Sequence, residues 1–356
     1  MSTLIDFRSD ASTLPTPEMR QAMAEAVVGN DDFGEDPTIT HLERTVAALL
    51  GKEDAVFVHS GTMANLAAVM SHVEPGETVA IGRHFHIFDY EGPAMERVAG
   101  CRFQALDDAT TDGRTRLLYE QAFIGERQLP GGPRLLCVEN TVSRLGGTLI
   151  EVSHLSELST WARSHRMTVH LDGARLFNAA AALNVAPREI TQSADTVSLA
   201  LTKAVGAPAG AIVAASRGLT ERIRRNRWML GGNWKQGGMF AAACLAGLKD
   251  VEEVVVQDHA HARRLAEALN DLDGCRVDLD RVVTNIVFWE VDDASLDVEQ
   301  IRAALREQGI EFGRWKPGTA EGGHRARLVT HRDIRDEQID LFLDVVKRSF
   351  GAMRAK

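Results

Sequence analysis

A chain of 356 residues is long enough for more than one domain, and a hydrophobic content of 44% excludes a wholly disordered protein. The 40 basic and 50 acidic residues give a formal charge of −10, so the chain has no general attraction for nucleic-acid phosphates or anionic membranes. No apolar run approaches the roughly 20 residues of a membrane helix, and no signal segment follows Met1. We therefore expect a cytoplasmic protein that has neither a nucleic-acid nor a membrane partner.

The cysteines and histidines lack the spacing of a metal site. Four cysteines are scattered along the chain, and Cys137 and Cys244 lie in apolar runs typical of buried free thiols. Two pairs of histidines are each separated by a single residue, and on a helix such neighbours face in different directions. We expect no structural metal.

The first two thirds of the chain alternate between helical and β-rich segments. Helices are predicted from Pro15 to Val28 and from Pro37 to about Leu50, each with proline near its first turn. Seven β-rich segments follow, mostly with helical stretches between them: Ala55–His59, Thr78–Ile81, Arg102–Leu106, Arg134–Glu139, Thr168–Leu171, Thr196–Leu201 and Ala211–Ala215. This alternation predicts an α/β domain with a largely parallel sheet that helices cover on both faces.

The pattern changes near Lys249. Two long helices, Gln236–Leu248 and Glu252–Leu272, are predicted to connect the large domain to a smaller α+β unit. That unit is predicted to contain strands Arg276–Asp280, Val283–Trp289 and Arg327–Val329 and helices Leu296–Glu307 and Glu337–Phe350. We therefore divide the chain into residues 1–248, an N-terminal arm plus the large domain, and residues 249–356, the small C-terminal domain.

Two consecutive predicted strands end near residues of opposite charge. Asp172 follows the segment Thr168–Leu171, and Lys203 follows Thr196–Leu201. Parallel strands bring their carboxyl ends to one sheet edge, where α/β proteins bind ligands, so an amine and a carboxylate are expected there together. This pair suits pyridoxal phosphate, whose aldehyde reacts with a lysine and whose pyridine nitrogen is held protonated by a carboxylate. For either residue alone, a helix cap or a solvated charge is the competing interpretation.

The tripeptide Ser60-Gly61-Thr62 stands between an apolar run and a helix rich in Ala, Leu and Met. Backbone N–H groups at a helix N-terminus suit a phosphate. A plain N-cap at Ser60 explains the tripeptide equally well.

Seven segments between about residue 5 and about residue 345 carry a family resemblance. They are Asp6-Phe7-Arg8-Ser9-Asp10, Phe33-Gly34-Glu35-Asp36-Pro37-Thr38, Ser60-Gly61-Thr62-Met63-Ala64-Asn65, His86-Ile87-Phe88-Asp89-Tyr90-Glu91, His170-Leu171-Asp172-Gly173-Ala174-Arg175, Ser198-Leu199-Ala200-Leu201-Thr202-Lys203 and Arg327-Leu328-Val329-Thr330-His331. Together, and in this order, they closely resemble the low-specificity L-threonine aldolases, also called the β-eliminating lyase family. The resemblance implies an aspartate-aminotransferase-like, fold type I pyridoxal-phosphate enzyme. It also implies a homotetramer or a dimer with sites between subunits, which cleaves β-hydroxy-α-amino acids to glycine and an aldehyde.

The resemblance further implies roles for residues around the cofactor. Lys203 matches the Schiff-base lysine, Asp172 the partner of the pyridine nitrogen, and Gly61 and Thr62 the phosphate cradle. His86 matches the histidine that stacks on the cofactor ring, and it is the first candidate for the base that takes the β-hydroxyl proton.

Other implied roles concern the substrate and the phosphate. Ser9, Arg175 and Arg327 match the groups that hold the substrate carboxylate, which an arginine fork bonds bidentately. Arg175 is also counted with the cofactor-binding residues. Lys235 matches a position that reaches the phosphate, often across the subunit interface.

The chain departs from the family pattern at several positions. Val142 follows Glu-Asn-Thr where many members carry His, Phe33 stands for a common Tyr, Ala11 for Thr, Trp228 for Lys and Lys235 for Arg. Two interpretations stay open. One is neutral drift in a pocket of broad specificity, and the other is a more apolar substrate pocket that favours aromatic β-substituents such as that of phenylserine.

The predicted function is a pyridoxal-phosphate aldolase acting on small β-hydroxy amino acids such as threonine, allo-threonine and phenylserine. An amino-acid racemase or a β-eliminating lyase of the same family is the alternative that Val142 supports, because breaking the Cα–H bond needs no base for a hydroxyl. A third hypothesis is a binding module without catalysis. Retention of Lys203, Asp172, Arg175 and Arg327 argues against it.

Overall fold

The computed structural model describes residues 4–119, 132–293, 295–319 and 323–355, so the start of the predicted N-terminal arm lies outside it. The helices are α1 (Pro17–Glu25), α2 (Pro37–Leu49), α3 (Gly61–His72), α4 (His86–Asp89), α5 (Gly92–Ala94), α6 (Val152–Ser164), α7 (Leu176–Leu183), α8 (Pro187–Thr191), α9 (Arg217–Met229), α10 (Gly238–Gly247), α11 (Val251–Asn270), α12 (Val298–Glu307) and α13 (Asp336–Arg354). The strands are β1 (Ile5–Asp6), β2 (Asp54–Val58), β3 (Thr78–Gly82), β4 (Arg102–Leu106), β5 (Asp108–Thr111), β6 (Arg114–Leu117), β7 (Pro133–Glu139), β8 (Thr168–Asp172), β9 (Thr196–Ala200), β10 (Ala211–Ala215), β11 (Cys275–Arg276), β12 (Ile286–Val291), β13 (Ile310–Glu311), β14 (Lys316–Pro317) and β15 (His324–Val329). Within these residues no helix is both long and apolar enough to cross a membrane.

A seven-stranded sheet forms the centre of the large unit, in the order β2-β10-β9-β8-β7-β3-β4. Only β10 runs antiparallel to its neighbours, and the other adjacent pairs are parallel. Every residue of β9 and β10 is buried, because helices cover both faces of the sheet. The predicted mostly parallel sheet of seven strands is confirmed.

Local capping explains where the helices next to the sheet begin. The Asp36 carboxylate accepts the backbone N–H groups of Thr38 and Ile39 at the start of α2, with Pro37 in the first turn. Ser60 caps α3 by accepting the N–H of Met63 over 3.2 Å. The end of β2 and the start of α3 are therefore joined by a tight turn.

The smaller unit contains an antiparallel sheet in the order β11-β12-β15-β14. The N-terminal strand β1 pairs in parallel with β13, so that Ile5 lies opposite Ile310. Phe7 then packs edge-on against Phe342 of α13, with ring centroids 5.2 Å apart. The N-terminal arm thus packs on the C-terminal unit.

Two hydrophobic clusters share the helix α11. One cluster extends from Ile39 to Val255, and the other joins Ile5 and Phe7 to residues between Ala262 and Phe350. The proposed boundary between residues 248 and 249 lies just before this shared helix and stays a prediction.

Short elements are where the structure differs from the sequence-based expectation. The hairpin β5–β6 was not predicted, although Asp112 and Gly113 between its strands both have positive φ, as an Asp-Gly hairpin turn requires. The expected strand Arg276–Asp280 is reduced to β11, because residues Leu279–Arg281 form a 3₁₀ turn.

Candidate active site

A cavity of about 190 Å³ lies at the carboxyl edge of the large sheet. It is lined by Gly61, Thr62, Asn65, His86, Glu91, Glu139, Thr141, Ser143, Asp172, Ala174, Arg175, Ser198, Ala200, Thr202 and Lys203. The fold therefore brings six predicted site residues together: Lys203, Asp172, His86, Gly61, Thr62 and Arg175.

Asp172 ends strand β8 and is held by two donors. Its Oδ1 accepts the N–H of Ala174 over 3.0 Å, and its Oδ2 accepts the Asn65 amide over 3.0 Å. The turn after it needs glycine, because a Cβ on Gly173 would lie 2.8 Å from the Ser198 carbonyl oxygen. The carboxylate is 3% exposed and fixed in direction.

Lys203 presents its amine to the same cavity. In the described part of the chain, the amine has no hydrogen bond and no ion pair. Burial lowers the pKa of Lys203, and the positive charge of Arg175 lowers it further. An amine with a lowered pKa carries a free electron pair more often, which suits reaction with an aldehyde.

The N-terminus of α3 supplies free donors at another wall of the cavity. Helix geometry leaves the N–H groups of Gly61 and Thr62 without intrahelical acceptors, and no other acceptor for them occurs among residues 4–119, 132–293, 295–319 and 323–355. The buried Thr141 hydroxyl, which lines the same cavity, is also without a partner there. These groups suit the phosphate of a cofactor.

His86 is oriented by a carboxylate that the sequence analysis did not single out. Its Nδ1 lies 2.8 Å from Glu91 Oε1, and this hydrogen bond is the main cause that raises the pKa of His86. The His86 backbone N–H donates to Glu139, whose pKa is raised to about 7, first by burial and then by the charge of Asp172. Glu91 and Glu139 lie in segments quoted from the sequence but were given no role, because their contacts with His86 cannot be read from the sequence.

The guanidinium of Arg175 is already engaged. Its Nε and Nη2 donate to the two oxygens of Asp10 over 2.7 and 2.8 Å, and both side chains are buried. Although burial acts in the opposite direction, Arg175 lowers the pKa of Asp10. This pair occupies one edge of the fork that the sequence analysis assigned to a substrate carboxylate.

Arg327 and Ser9 lie beside this pair. Arg327, on β15, donates to the Arg8 carbonyl over 3.3 Å, and its pKa is lowered by burial and by the charge of Arg175. The Ser9 hydroxyl accepts the Ala11 N–H over 3.2 Å and lies next to Asp10 in sequence. Neither residue lines the 190 Å³ cavity itself.

Three other predicted residues do not line the cavity in a single chain. Phe33 is 75% exposed, and Lys235 forms an ion pair with Asp32. Val142 is fully buried in the first hydrophobic cluster, because its backbone bridges to Thr148 and turns the side chain into the core.

One group of the described residues has the spacing of a metal site, namely His86, Glu91 and Asp172. Hydrogen bonds to each other or to Asn65 already engage all three. The expectation of no metal stays a prediction.

Comparison with known proteins agrees with this arrangement. Residues 6–294 match the family model for the β-eliminating lyases. The chain is 36% identical to low-specificity L-threonine aldolase 1 of Arabidopsis thaliana, covering 98% of this chain and 97% of the relative. It is 30% identical to alanine racemase TOXG of Cochliobolus carbonum, covering 97% and 88%. The structure of Leishmania major threonine aldolase matches with a TM-score of 0.80 at 23% identity, over 97% of this chain and 99% of that chain.

The chain belongs to the β-eliminating lyase family, together with the low-specificity L-threonine aldolases, and is a pyridoxal-phosphate-dependent lyase of fold type I.

Proposed function

We propose that this protein cleaves L-β-hydroxy-α-amino acids to glycine and an aldehyde by a retro-aldol reaction. The observation that carries the proposal is that one cavity contains the unpaired amine of Lys203 and the oriented carboxylate of Asp172. A lysine and an aspartate so arranged have a common use with pyridoxal phosphate, which accepts the electron pair left at Cα when bound.

The residues of the cavity fit this cofactor. The Lys203 amine would bond to its aldehyde carbon, and Asp172 would accept a hydrogen bond from its pyridine nitrogen. The free N–H groups of Gly61 and Thr62 at the start of α3 would hold its phosphate. His86 lines the same cavity, and one face of its ring stacks on Tyr90 with centroids 4.8 Å apart, so the opposite face would be the one that stacks on the cofactor ring.

Two arginines support binding of the substrate carboxylate. Arg175 keeps the donors of its Nη1 after pairing with Asp10, and Arg327 lies close enough for the two positive charges to affect each other. Asp10 neutralises one of the two charges, so a single negative carboxylate would balance the remaining one. Fixing this carboxylate orients the bonds at Cα relative to the cofactor.

His86 is the proposed base. Because Glu91 accepts from its Nδ1, the Nε2 of the neutral ring is left as an acceptor toward the cavity. There it would take the β-hydroxyl proton as the Cα–Cβ bond breaks, so that the aldehyde leaves with its carbonyl formed.

Assembly is part of the proposal. We infer a homotetramer or dimer in which Lys235 and Phe33 serve the site of a neighbouring subunit, since neither reaches the cavity of its own chain. Exposed apolar side chains support such contacts: Trp228 is 69%, Met229 60% and Val27 69% exposed.

A product assay tests the function. Purified protein with added cofactor is incubated separately with L-threonine, L-allo-threonine, L-phenylserine and L-alanine, and aldehyde, glycine and D-alanine are measured. Aldehyde and glycine in equal amounts are expected, with kcat/KM for phenylserine above that for threonine if the pocket is apolar. Preference for threonine would contradict the apolar pocket but not the aldolase.

The second candidate is an amino-acid racemase. The similarity to a fungal alanine racemase and the absence of a histidine at Val142 favour it. If L-alanine gives D-alanine while no hydroxy amino acid gives an aldehyde, the racemase replaces the aldolase as the proposed function. Lys203→Ala serves as the inactive control for both activities.

A further inference from the structure

Asn65 lines the cavity and occupies a central position in its hydrogen-bond network. Its amide nitrogen donates to Asp172 Oδ2 over 3.0 Å and to Glu91 Oε1 over 3.2 Å. Its oxygen lies 2.7 Å from the Ser198 hydroxyl and 3.1 Å from His170 Nε2. One fully buried amide therefore joins two carboxylates on one side to two donors on the other.

These partners allow only one orientation of the amide. A flipped Asn65 would point its oxygen at the Asp172 carboxylate, where two acceptors would repel each other. It would also direct its N–H groups toward the Ser198 hydroxyl and His170. Because the amide oxygen can only accept, His170 must carry its proton on Nε2.

The order of donors continues beyond His170. Its Nδ1 lies 2.8 Å from the Thr196 hydroxyl, which in turn lies 2.9 Å from His72 Nε2. The His72 Nδ1 is 2.9 Å from the Thr168 hydroxyl. With both rings neutral, the Thr168 hydroxyl donates to His72, His72 donates to Thr196, and Thr196 donates to His170. His170 then donates to the Asn65 oxygen, and the Asn65 amide nitrogen donates to Asp172, where the chain of hydrogen bonds ends.

Burial keeps the two rings neutral. It lowers the pKa of His170 to about 4, and it lowers that of His72 to about 3, where the nearby His170 adds to the effect. Because the Nδ1 of neutral His170 accepts from the Thr196 hydroxyl, its single proton lies on Nε2 and is donated to Asn65. The neutral ring therefore adds no positive charge near Asp172.

We propose that Asn65 is a positioning residue that fixes the direction of the Asp172 carboxylate toward the cofactor's pyridine nitrogen, with His170 and Ser198 as its supports. The inference rests on the proposed role of Asp172. Two donors on Asp172, one from the Ala174 backbone and one from Asn65, hold the plane of its carboxylate. Removal of the Asn65 donor would leave the Ala174 N–H on Oδ1 and no side-chain donor on Oδ2 among the described residues, so the carboxylate could rotate about the remaining bond.

Binding of the cofactor and of an analogue without the ring nitrogen tests the proposal without using activity. The dissociation constants of pyridoxal phosphate and of the analogue with CH in place of the nitrogen are measured on the apo-protein. In the wild type the analogue should bind about 10- to 100-fold more weakly, since it lacks one charge-assisted hydrogen bond. Asn65→Leu, which keeps the shape but removes the amide, should reduce this ratio at least about fivefold.

Two further variants make the result decisive. His170→Phe removes one donor to the Asn65 oxygen and should reduce the ratio at least about twofold, which answers the question if Asn65→Leu does not fold. Asn226→Leu is the matched control: this buried amide donates to Ala67 and Ser71 on the same helix as Asn65 but lies away from Asp172. Its ratio should equal that of the wild type.

The outcomes separate the two proposals. A wild-type ratio near one would contradict the proposed role of Asp172 and the function built on it. A large wild-type ratio that is unchanged in both Asn65→Leu and His170→Phe would overturn the positioning role alone. A loss of the ratio in Asn226→Leu as well would show that general loss of packing is the cause, which also overturns it.

Discussion

Substitution of Asp10 by Asn tests how the cavity tolerates its positive charges. Asp10 Oδ1 and Oδ2 each accept from the Arg175 fork, and Asn285 donates to Oδ2 over 3.3 Å. The side chains of Arg175 and Asp10 are 6% and 2% exposed, so water does not replace the lost carboxylate. The variant keeps the size of the side chain, removes its charge and replaces one acceptor oxygen by an NH2 group.

The magnitude follows from the burial of both partners. Breaking a buried ion pair by removing one partner costs about 3–5 kcal/mol, because the other charge stays uncompensated. A second consequence concerns Lys203, whose pKa the Asp10 charge raises against the effects of burial and of Arg175. Without Asp10 the pKa of Lys203 should fall further below that of the wild type.

Urea unfolding of the apo-protein measures the first effect, and the pH dependence of the reaction of Lys203 with added pyridoxal phosphate measures the second. Asp107→Asn is the control. Asp107 forms an ion pair with Arg83, and because the side chains of Arg83 and Asp107 are 50% and 68% exposed, this pair should contribute at most about 1 kcal/mol to the free energy of unfolding. The double variant Asp10→Asn with Arg175→Met should regain at least about half of the lost stability, since it removes the unpaired charge.

If Asp10→Asn lowers the free energy of unfolding by less than about 1 kcal/mol, the reasoning is refuted, because the buried Arg175 charge would then not depend on Asp10 for its compensation. A rise in the Lys203 pKa would refute the second part independently.

Three other predictions concern protons and assembly. Glu91 raises the pKa of His86 by its hydrogen bond and by its negative charge; Glu91→Gln removes the charge, so the acidic limb of kcat/KM for aldehyde release should move to lower pH, and an unmoved limb would assign it to another group. The folded-state pKa of His170 is about 4 against about 6.5 when unfolded, so the unfolded chain binds a proton that the folded chain does not. The free energy of unfolding should therefore fall by about 3 kcal/mol on this account as the pH drops from about 6.5 to about 4, and urea unfolding of His170→Gln should show a smaller fall. Mixing unfolded Lys203→Ala and Lys235→Ala subunits and refolding them together should recover about a quarter of wild-type activity, and no recovery would place Lys235 in its own chain's site.

The large sheet was predictable because its strands are buried on both faces. Such strands are short apolar runs that stand out between helical segments, and all seven lie within a few residues of the predicted ranges. The two-residue strands β1 and β13 carry no such pattern. Their pairing depends on a contact between residues about 300 positions apart, which no local signal contains.

The predictable part of the site consists of residues whose side-chain type and place at a strand end together indicate a chemistry. Lysine and aspartate at consecutive strand ends suggested a cofactor, and the fold places both in one cavity. The hydrogen bond from Asn65 to Asp172 was not predicted, since the two residues lie 107 positions apart and an Asn inside a helix is ordinary in sequence. Asp10 was likewise quoted in a motif without a role, because its partner Arg175 is 165 positions away.

At Val142 the family pattern alone did not show whether the side chain faces the substrate pocket. The absence of a polar side chain at this position suggested an apolar substrate pocket, yet Val142 is fully buried in the core. Its neighbours Thr141 and Ser143 line the cavity instead, and the Thr141 hydroxyl has no partner among the described residues. The wall of a single chain is therefore polar at this point. We therefore expect a preference for aromatic substituents to depend on a side chain from another subunit of the proposed assembly, for which Phe33, 75% exposed in the single chain, is the leading candidate. Substrate preference and assembly are for this reason a single question: Phe33→Tyr should lower the phenylserine-to-threonine ratio of kcat/KM only in the assembled enzyme.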